Sequence, residues 1–376
     1  MLHFVIEWNA RRRADPIARL RYLQQKMPGV IKPTLRRGKW KAASRLTALA
    51  CLFIPGFIAS NTGDELLPPL RPHTHATGVD VFTDVWQVER TNDFETYSNG
   101  LRIDDRYAVS NEHRAPYPVF QRFETDPSRP GLRAQPAGIV YHTTESDQAS
   151  FEEGQNGALK RIGKEVLSFV KRNHCYHFVI NRFGQVFRIV EESDVAYHAG
   201  NSVWADSAGI YVNLNASFLG IAFETQTQPG ELTSANPAQI HAARVLTQML
   251  RSKYHMPEAN CVTHAQVSVN PSNMLIGYHT DWAGNFPFLE VGLYDNYMAP
   301  PASIYAFGFD YNPVFVHATG IRLWQGLALA EDQLRTQSVA QGLRLPQYRS
   351  ILRKKYKEII TALKASSDTK EEHHAT

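Results

Sequence analysis

The chain has 376 residues, of which 43% are hydrophobic and 11% aromatic, so it can bury a substantial core and is not a disordered protein. Its 40 Lys and Arg residues against 36 Asp and Glu residues give a formal net charge of +4, too small for a dedicated nucleic-acid-binding protein. Three cysteines, Cys51, Cys175 and Cys261, exclude a disulfide-stapled scaffold. Cys175 and Cys261 could pair in an oxidising compartment if the fold brings their Cα atoms close enough for a disulfide.

Residues 1–60 form a basic leader that carries a signal or anchor segment. The basic run RRGKWKAASR precedes an uncharged apolar run at residues 46–58, and this order of charge is typical of export signals and signal anchors. The apolar run is shorter than the about 20 residues that usually span a bilayer, so a cleaved signal and a membrane tether both stay open. We expect the body of the chain to be exported. A leader counted from Met27 has an ordinary length, so Met27 is our hypothesis for the true start.

The pattern of apolar residues predicts an α/β fold in the middle of the chain. Residues 61–130 form a proline-rich linker and a short β-rich preamble around VDVFTDVWQVER. From Gly138 the order becomes strand (GIVYHTT), helix, hairpin (CYHFVINRFGQVFRIV), strand (LGIAFETQT), helix and strand (CVTHAQV). This order predicts a mixed central β-sheet flanked by helices, which we assign to residues 131–300.

A helical extension follows the α/β domain. GIRLWQGLALAEDQLRTQ and PQYRSILRKKYKEIITAL have helical periodicity, and Pro346 suits the first turn of a helix. We assign the extension to residues 301–364. Residues 365–376 are polar, so we expect a disordered tail there.

Histidines recur at the ends of predicted strands and in the loops that follow them. The segments are VYHTT with His142, CYHF with Tyr176 and His177, VTHAQVSVNP with His264, and GYHTDWAGNFPF with His279 and Asp281. One histidine beside an apolar strand is more often a hydrogen-bonded structural residue than a metal ligand. Hydrolytic zinc sites use three protein ligands and leave a fourth position open. His142, His264 and Asp281 can supply that set if the strands that carry them are neighbours.

The order of these segments resembles the zinc N-acetylmuramoyl-L-alanine amidases of the amidase 2 family, which share the peptidoglycan-recognition-protein fold. The resemblance runs from Gly138 to Phe288 and rests on six ordered motifs: VYHTT, YHFVINRFGQVFRIV, AYHAGN, LGIAFE, VTHAQVSVNP and DWAGNFPF. It implies hydrolysis of the amide bond between N-acetylmuramoyl and L-alanine in peptidoglycan, with Zn²⁺ as the cofactor. It also implies that His142, His264 and Asp281 are the zinc ligands.

His279 competes with Asp281 for the third ligand position. Family members often carry Lys two residues before the last ligand, where it stabilises the oxyanion, and His279 stands at that position here. A protonated His279 could take the same part, or His279 could replace Asp281 as the ligand. We favour Asp281, because DWAGNFPF matches the ligand position of the family and Zn²⁺ accepts carboxylate.

The catalytic glutamate of the family has no direct counterpart in this chain. Some members carry it in a GIE motif, and the same position here is Ala222. Glu224 lies two residues further along a presumed strand and points to the same face, so we expect it to substitute. Tyr176 matches a family tyrosine that positions water or the substrate carbonyl, although it could also be an ordinary strand aromatic. The expected catalytic residues are Glu224, His279 and Tyr176.

The motif AYHAGN matches the family motif WHAG, with Tyr in place of Trp. The resemblance implies that His198 and Asn201 shape the wall of the cleft. Together with His177 they form the expected substrate-binding set.

Two other classes of function fit parts of the sequence. Members of this fold that lack a zinc ligand bind peptidoglycan without cutting it, but candidates for all three ligands are present here. A cell-envelope interaction protein could instead work through the preamble and the C-terminal helices. We expect an amidase of the periplasm or cell envelope that acts on peptidoglycan or muropeptides, with residues 46–58 as a candidate membrane tether.

Overall fold

The computed structural model describes residues 82–121, 130–227, 234–319 and 324–374, all within the unit Thr74–Thr376. The predicted leader at residues 1–60, with the apolar run at 46–58 and the alternative start at Met27, lies outside the described residues. No helix in the described ranges is both long and apolar enough to cross a membrane. Cys175 and Cys261 are not joined by a disulfide bond.

The strands of the described residues form one eight-stranded sheet and three two-stranded sheets. In chain order they are β1 Gln87–Arg90, β2 Phe94–Tyr97, β3 Arg102–Asp104, β4 Tyr117–Val119, β5 Gly131–Arg133, β6 Gly138–Thr143, β7 Phe178–Ile180, β8 Val186–Arg188, β9 Val203–Ala205, β10 Ile210–Val212, β11 Phe218–Phe223, β12 Cys261–Thr263, β13 Val269–Asn270 and β14 Leu275–Ile276. The large sheet has the order β1-β2-β3-β8-β7-β11-β6-β12. The four strands β7, β11, β6 and β12 are parallel to one another, and β8 pairs with β7 in the antiparallel direction. The sheet is mixed, as the sequence predicts.

Eight helices accompany these strands in the described part of the chain. They are α1 Asn156–Arg172, α2 Pro237–Tyr254, α3 His264–Val267, α4 Phe288–Val291, α5 Ala302–Phe307, α6 Pro313–Ala318, α7 Gln325–Ala340 and α8 Leu345–His374. Single 3₁₀ turns lie at Glu153–Gln155, Glu258–Asn260 and Asn296–Met298.

The two long helices of the α/β region cover opposite faces of the large sheet. Strands β6 and β11 are buried at every position, which is why they read as continuous apolar runs. Alternate residues point to opposite faces: Tyr141 and Ile221 share a core cluster with Leu246 of α2, whereas Ala222 packs with Leu167 of α1. His142 is level with Ala222, so it lies on the face that α1 covers.

The β-rich preamble is part of the large sheet, so the expected boundary near residue 131 does not divide the sheet. Strand β3 pairs in parallel with β8, and β1 and β2 extend the sheet outward from there. Tyr97, Leu101 and Ile103 enter the same core cluster as β6 and β11. These apolar side chains are buried only because the preamble adds to the edge of the sheet.

The C-terminal helices bury their apolar side chains against the α/β region. Leu327 of α7 and Tyr356 of α8 share a core cluster with Val203 of β9, Ala265 of α3 and Ile276 of β14. Helix α8 continues to His374, whereas the sequence analysis ended the extension at residue 364 and placed a disordered tail at 365–376. The residues after 364 include Ala, Lys and Glu, whose high helix propensity favours this continuation.

Candidate active site

His142, His264 and Asp281 converge at the carboxyl ends of two neighbouring parallel strands. One ligand atom from each residue lies within 4.8 Å of the others, and all three residues are buried. Asp281 bridges the two imidazoles: its Oδ2 is 3.2 Å from Nδ1 of His142, and its Oδ1 is 2.9 Å from Nδ1 of His264. We refer to these three residues as the ligand cluster.

The pairing of β6 with β12 brings the two histidines together. Thr263 is level with Tyr141, so the next residue of each strand, His264 and His142, emerges at the same edge of the sheet. His264 is the first residue of α3, and Thr263 and Gln266 form a capping box that starts this helix directly after the strand. The carboxyl edge of parallel strands is the usual place for chemistry in α/β proteins.

Backbone contacts hold Asp281 against the two strands. The amide of Ala265 donates to the carbonyl oxygen of Asp281 at 3.2 Å. The indole Nε1 of Trp282 donates to the carbonyl oxygen of His142 at 3.0 Å. Trp282 is fully buried among Phe223 and Phe286, so the segment that carries Asp281 is anchored in the core.

The electrostatics of the ligand cluster favour neutral His142 beside ionised Asp281. Burial lowers the pKa of His142 to about 4, and His264 adds to this, while Asp281 opposes it. Burial alone would raise the pKa of Asp281, but His264 and His142 hold it well below its usual range. Near neutral pH the cluster therefore offers an imidazole lone pair and a carboxylate, which are the forms that bind a metal ion.

The hydrogen bonds around His142 show that the cluster fits a cation. His142 Nε2 lies 3.0 Å from Nδ1 of His198, and Nε2 of His198 lies 3.2 Å from the carbonyl oxygen of Phe218. A carbonyl oxygen only accepts, so neutral His198 donates from Nε2 and accepts at Nδ1, and His142 donates from Nε2. The Nδ1 lone pair of His142 then faces the carboxylate of Asp281 without a proton between them. Two acceptors in this arrangement call for a cation, and two imidazoles with one carboxylate are a donor set that suits Zn²⁺.

Tyr176 and His279 both lie beside the ligand cluster, as the sequence analysis expects. The rings of Tyr176 and His142 have centroids 5.0 Å apart, and the Tyr176 hydroxyl donates to the carbonyl oxygen of Thr143 at 3.3 Å. His279 is exposed and stacks on His264 with centroids 4.5 Å apart and an interplanar angle of 18°. Its backbone amide donates to Oγ of Ser268 at 2.9 Å. His279 therefore covers the outer side of one candidate ligand.

Glu224 is buried, and its carboxylate contacts Arg182 and Gly163. Its Oε2 accepts from the backbone amide of Arg182 at 3.2 Å, and the carboxylate lies against Gly163 of α1. Burial raises the pKa of Glu224, an effect that Arg182 partly offsets. None of its described contacts is with a member of the cluster.

Glu145 is a carboxylate that the sequence analysis missed. It follows β6 with a positive φ of 51°, and its Oε1 accepts from Oγ1 of Thr143 at 2.5 Å and from the amide of Thr227 at 3.2 Å. Burial and the nearby charge of Asp281 raise the pKa of Glu145. The signal in the sequence is its position three residues after His142, in the loop at the carboxyl end of a central strand.

The three expected substrate-binding residues lie in different environments. His177 is fully buried; its Nδ1 accepts from the amide of Gly220 at 2.9 Å, and its Nε2 lies 3.2 Å from the carbonyl oxygen of Asp194. His198 also has both ring nitrogens bonded to protein groups, so neither histidine offers a free nitrogen to a substrate. Asn201 is exposed in the loop after His198, and its carbonyl oxygen accepts from the amide of Val269 at 3.0 Å.

The fold and the ligand cluster define a mixed-sheet α/β domain with a His-His-Asp group at the carboxyl ends of its central strands. The family model described as N-acetylmuramoyl-L-alanine amidase matches residues 132–281, a range that includes all three members of the cluster. Residues 132–281 thus match the amidase 2 family of N-acetylmuramoyl-L-alanine amidases, in agreement with the resemblance seen in the sequence. The protein is thus a hydrolase that cuts the amide bond between N-acetylmuramoyl and L-alanine in peptidoglycan.

Several solved structures are similar to this chain. The N-acetylmuramyl-L-alanine amidase AmiD from E. coli, in complex with an anhydro-N-acetylmuramic acid peptide, is 20% identical; the match covers 65% of this chain and 98% of AmiD, with a TM-score of 0.36. The amidase LysC from Clostridium intestinale is 22% identical, with 49% of this chain and 93% of LysC covered and a TM-score of 0.27. Drosophila peptidoglycan recognition protein SD is 17% identical, with 43% and 84% covered and a TM-score of 0.26. No match was found among curated protein sequences.

Proposed function

We propose that the protein is a zinc-dependent amidase in which His142, His264 and Asp281 hold the metal ion. The observation that carries the proposal is the meeting of one ligand atom from each of two imidazoles and one carboxylate within 4.8 Å, with the Nδ1 lone pair of His142 facing Asp281. Three protein ligands are the usual number in a catalytic zinc site, which keeps one position open. When bound, Zn²⁺ supplies Lewis-acid chemistry that polarises the scissile carbonyl and activates water.

Tyr176 and His279 are the proposed donors to the oxygen of the scissile carbonyl as negative charge develops there. Both rings lie against a candidate ligand, Tyr176 on His142 and His279 on His264. Preorganised donors are effective at such a position. The Tyr176 hydroxyl would turn its single proton from the carbonyl oxygen of Thr143 to the substrate oxygen. His279 is exposed and can therefore approach a substrate that enters from solvent.

Glu145 is the proposed proton carrier, in preference to Glu224. The reaction needs a group that takes a proton from the attacking water and delivers one to the leaving amine. Glu145 is close enough to sense the charge of Asp281, and its raised pKa suits a group that alternates between both forms. Glu224 is engaged with Arg182 and Gly163 instead.

The proposed place of action is the periplasm or cell envelope, where the protein would remodel or turn over peptidoglycan. The basic run followed by apolar residues 46–58 supports export, either with a cleaved signal or with this segment as a tether. Peptidoglycan lies outside the cytoplasmic membrane, so export would bring the enzyme to its substrate.

Purified full-length protein incubated with isolated sacculi tests this function. We expect mass spectrometry to find released stem peptides that begin with L-alanine, and a chelator to stop their release. His142→Ala should release none, and added zinc should restore the chelated wild type. Protein that sediments with sacculi but releases no peptide would indicate a peptidoglycan-binding module instead. Release that the chelator leaves unchanged would contradict the role of zinc.

A further inference from the structure

His198 stands between the ligand cluster and strand β11. Its Nδ1 is 3.0 Å from Nε2 of His142, and its Nε2 is 3.2 Å from the carbonyl oxygen of Phe218. The two imidazoles meet nearly edge to face, at an interplanar angle of 85°. His142 therefore has Asp281 beside its Nδ1 and His198 bonded to its Nε2.

The side chain of Asn215 fixes the loop before β9, which carries His198. The side-chain oxygen of Asn215 accepts from three successive amides, those of His198, Ala199 and Gly200, at 3.0, 2.6 and 3.3 Å. One side chain thus holds the whole turn that carries the histidine. The loop cannot move His198 without breaking several of these bonds.

Gly220 of β11 makes room for the imidazole of His198. A Cβ atom at this position would lie 2.7 Å from Cγ of His198, closer than side chains approach one another. Only glycine therefore leaves room for the ring at the place where its Nε2 reaches the carbonyl oxygen of Phe218. The pocket for His198 is built by two elements, the Asn215 turn and β11.

The direction of these hydrogen bonds determines which ring nitrogen of His142 carries the proton. The Phe218 carbonyl receives the proton of His198, so Nδ1 of His198 is left as an acceptor that holds the proton of His142 on Nε2. His142 then presents Nδ1, and only Nδ1, to Asp281 and to any ion beside it. A hydrogen bond to the second nitrogen of a ligating histidine is a general means of fixing its tautomer and orientation.

We propose that His198 is a positioning residue that fixes the ring orientation and the tautomer of His142, rather than a residue that binds substrate. The inference rests on the proposed zinc site but concerns a residue whose two ring nitrogens both lie within hydrogen-bond distance of protein groups. It predicts that His198 affects the affinity for zinc and the tautomer of His142 even where no substrate is present.

The test compares full-length wild type with His198→Ala, His198→Asn and Tyr197→Ala. His198→Ala removes the acceptor, and we expect about a 10- to 100-fold loss of zinc affinity, measured by competition with a chelator. Asn places its side-chain oxygen near the position of Nδ1, so His198→Asn should recover most of that loss. Tyr197→Ala changes the exposed neighbour in the same loop and should keep the wild-type affinity.

A second readout on metal-free protein reports on the tautomer itself. Nitrogen NMR of ¹⁵N-histidine-labelled protein distinguishes a ring protonated at Nε2 from one protonated at Nδ1, and His142→Gln identifies the signal. We expect the Nε2–H form of His142 in wild type and His198→Asn, and a mixture of both forms in His198→Ala. A merely structural role of His198 would lower stability without changing the tautomer.

The outcomes separate this inference from the proposed function. If wild type binds no zinc, the proposed function fails, and the tautomer measurement still decides the role of His198. If wild type binds zinc while His198→Ala keeps both the affinity and the Nε2–H tautomer, the positioning role is overturned. Should His198→Ala not fold, Gly220→Ala takes its place, because an added Cβ atom crowds the same ring. A weakened zinc affinity and a mixture of tautomers in folded Gly220→Ala support the positioning role, and wild-type values of both contradict it.

Discussion

Asp281 and His279 lie two residues apart, but the structure gives them different positions. Asp281 contacts Nδ1 of both histidines, whereas His279 stacks on the outer side of His264. Asp281→Ala should therefore remove most of the zinc affinity, because the site falls to two protein ligands. His279→Ala should keep the metal and lose turnover by roughly a hundredfold or more, the scale for removing one oxyanion donor. Zinc content and turnover of both variants check this; metal lost from His279→Ala but kept by Asp281→Ala would reverse the assignment.

The two candidate proton carriers can be separated by matched substitutions. Glu145→Gln keeps the shape of the side chain and should lower turnover by about a hundredfold or more, while zinc stays bound. Glu224→Gln should have a much smaller effect, because its carboxylate faces Arg182 and α1. Turnover of a muropeptide by both variants, with zinc content as the control, is the measurement. A larger loss in Glu224→Gln would restore the expectation drawn from the sequence.

For individual residues, the sequence predicts the members of the ligand cluster but not the residues that position them. Motif order places His142, His264 and Asp281, because each follows a recognisable strand or precedes the FPF stretch. The role of His198 depends on β11 lying beside β6 and on the space left by Gly220, contacts between residues far apart in the chain. Glu145 was missed because an acidic residue in a loop has no periodic signal.

A buried ion network joins the preamble strands to the rest of the large sheet. Arg188 of β8 contacts Glu95 of β2 at 2.8 Å, Asp105 at 2.5 Å and Glu192 at 2.9 Å, and Lys253 of α2 reaches Glu192 at 3.2 Å. A single guanidinium thus serves three carboxylates from different elements. Removing one partner of such a network leaves buried charge without compensation.

This network makes stability depend on pH in the acid range. Burial alone would raise the pKa of Glu192, but Arg188 and Lys253 hold it at about 2, below its ordinary 4.5. A carboxyl with a lower pKa in the folded state stabilises that state fully above pH 4.5, and the contribution is lost as the pH falls towards 2. Urea unfolding between about pH 6 and about pH 3 should show the free energy of unfolding falling below pH 4.5. Glu192→Gln should show a smaller fall over the same range; an unchanged slope would contradict this role of Glu192.

Among the elements, the sequence predicts the buried strands best. Strands β6 and β11 are predicted because burial on both faces gives a continuous apolar run in the sequence. Helices α1 and α2 are predicted because burial of one face gives apolar residues at helical spacing. The union of the preamble with the large sheet is not predicted, since the parallel pairing of β3 with β8 joins segments more than 80 residues apart. Local patterns contain no information on such long-range pairing.

In the molecule as a whole, the C-terminal helices support the segment that joins His264 to Asp281. The amide of Ile276 donates to the carbonyl oxygen of Asp310 at 2.8 Å, and the indole of Trp324 donates to the carbonyl oxygen of Ala283 at 2.8 Å. Phe315 of α6 packs directly on Gly277, where a Cβ atom would lie 2.0 Å from its ring. The C-terminal extension thus gives this loop a surface to pack on.

Two truncations test this supporting role. Removing residues 301–376 exposes the core cluster that contains Ala265 and Ile276, so we expect loss of soluble protein or of zinc binding. Removing residues 364–376 leaves Leu363, which packs on that cluster, and should preserve solubility, zinc content and hydrolysis. Protein yield, zinc content and stem-peptide release are the measurements. Full activity of the longer truncation would show that the extension serves another purpose.

The central claim, a zinc ion held by Nδ1 of His142, Nδ1 of His264 and the carboxylate of Asp281, is tested most directly by anomalous scattering. Crystals of zinc-loaded protein measured on both sides of the zinc absorption edge would locate the ion. We predict one strong anomalous peak within about 2.0–2.2 Å of all three groups, with Nε2 of His142 still bonded to His198. A peak bound by His279 in place of Asp281, or no peak at the ligand cluster, would contradict the account.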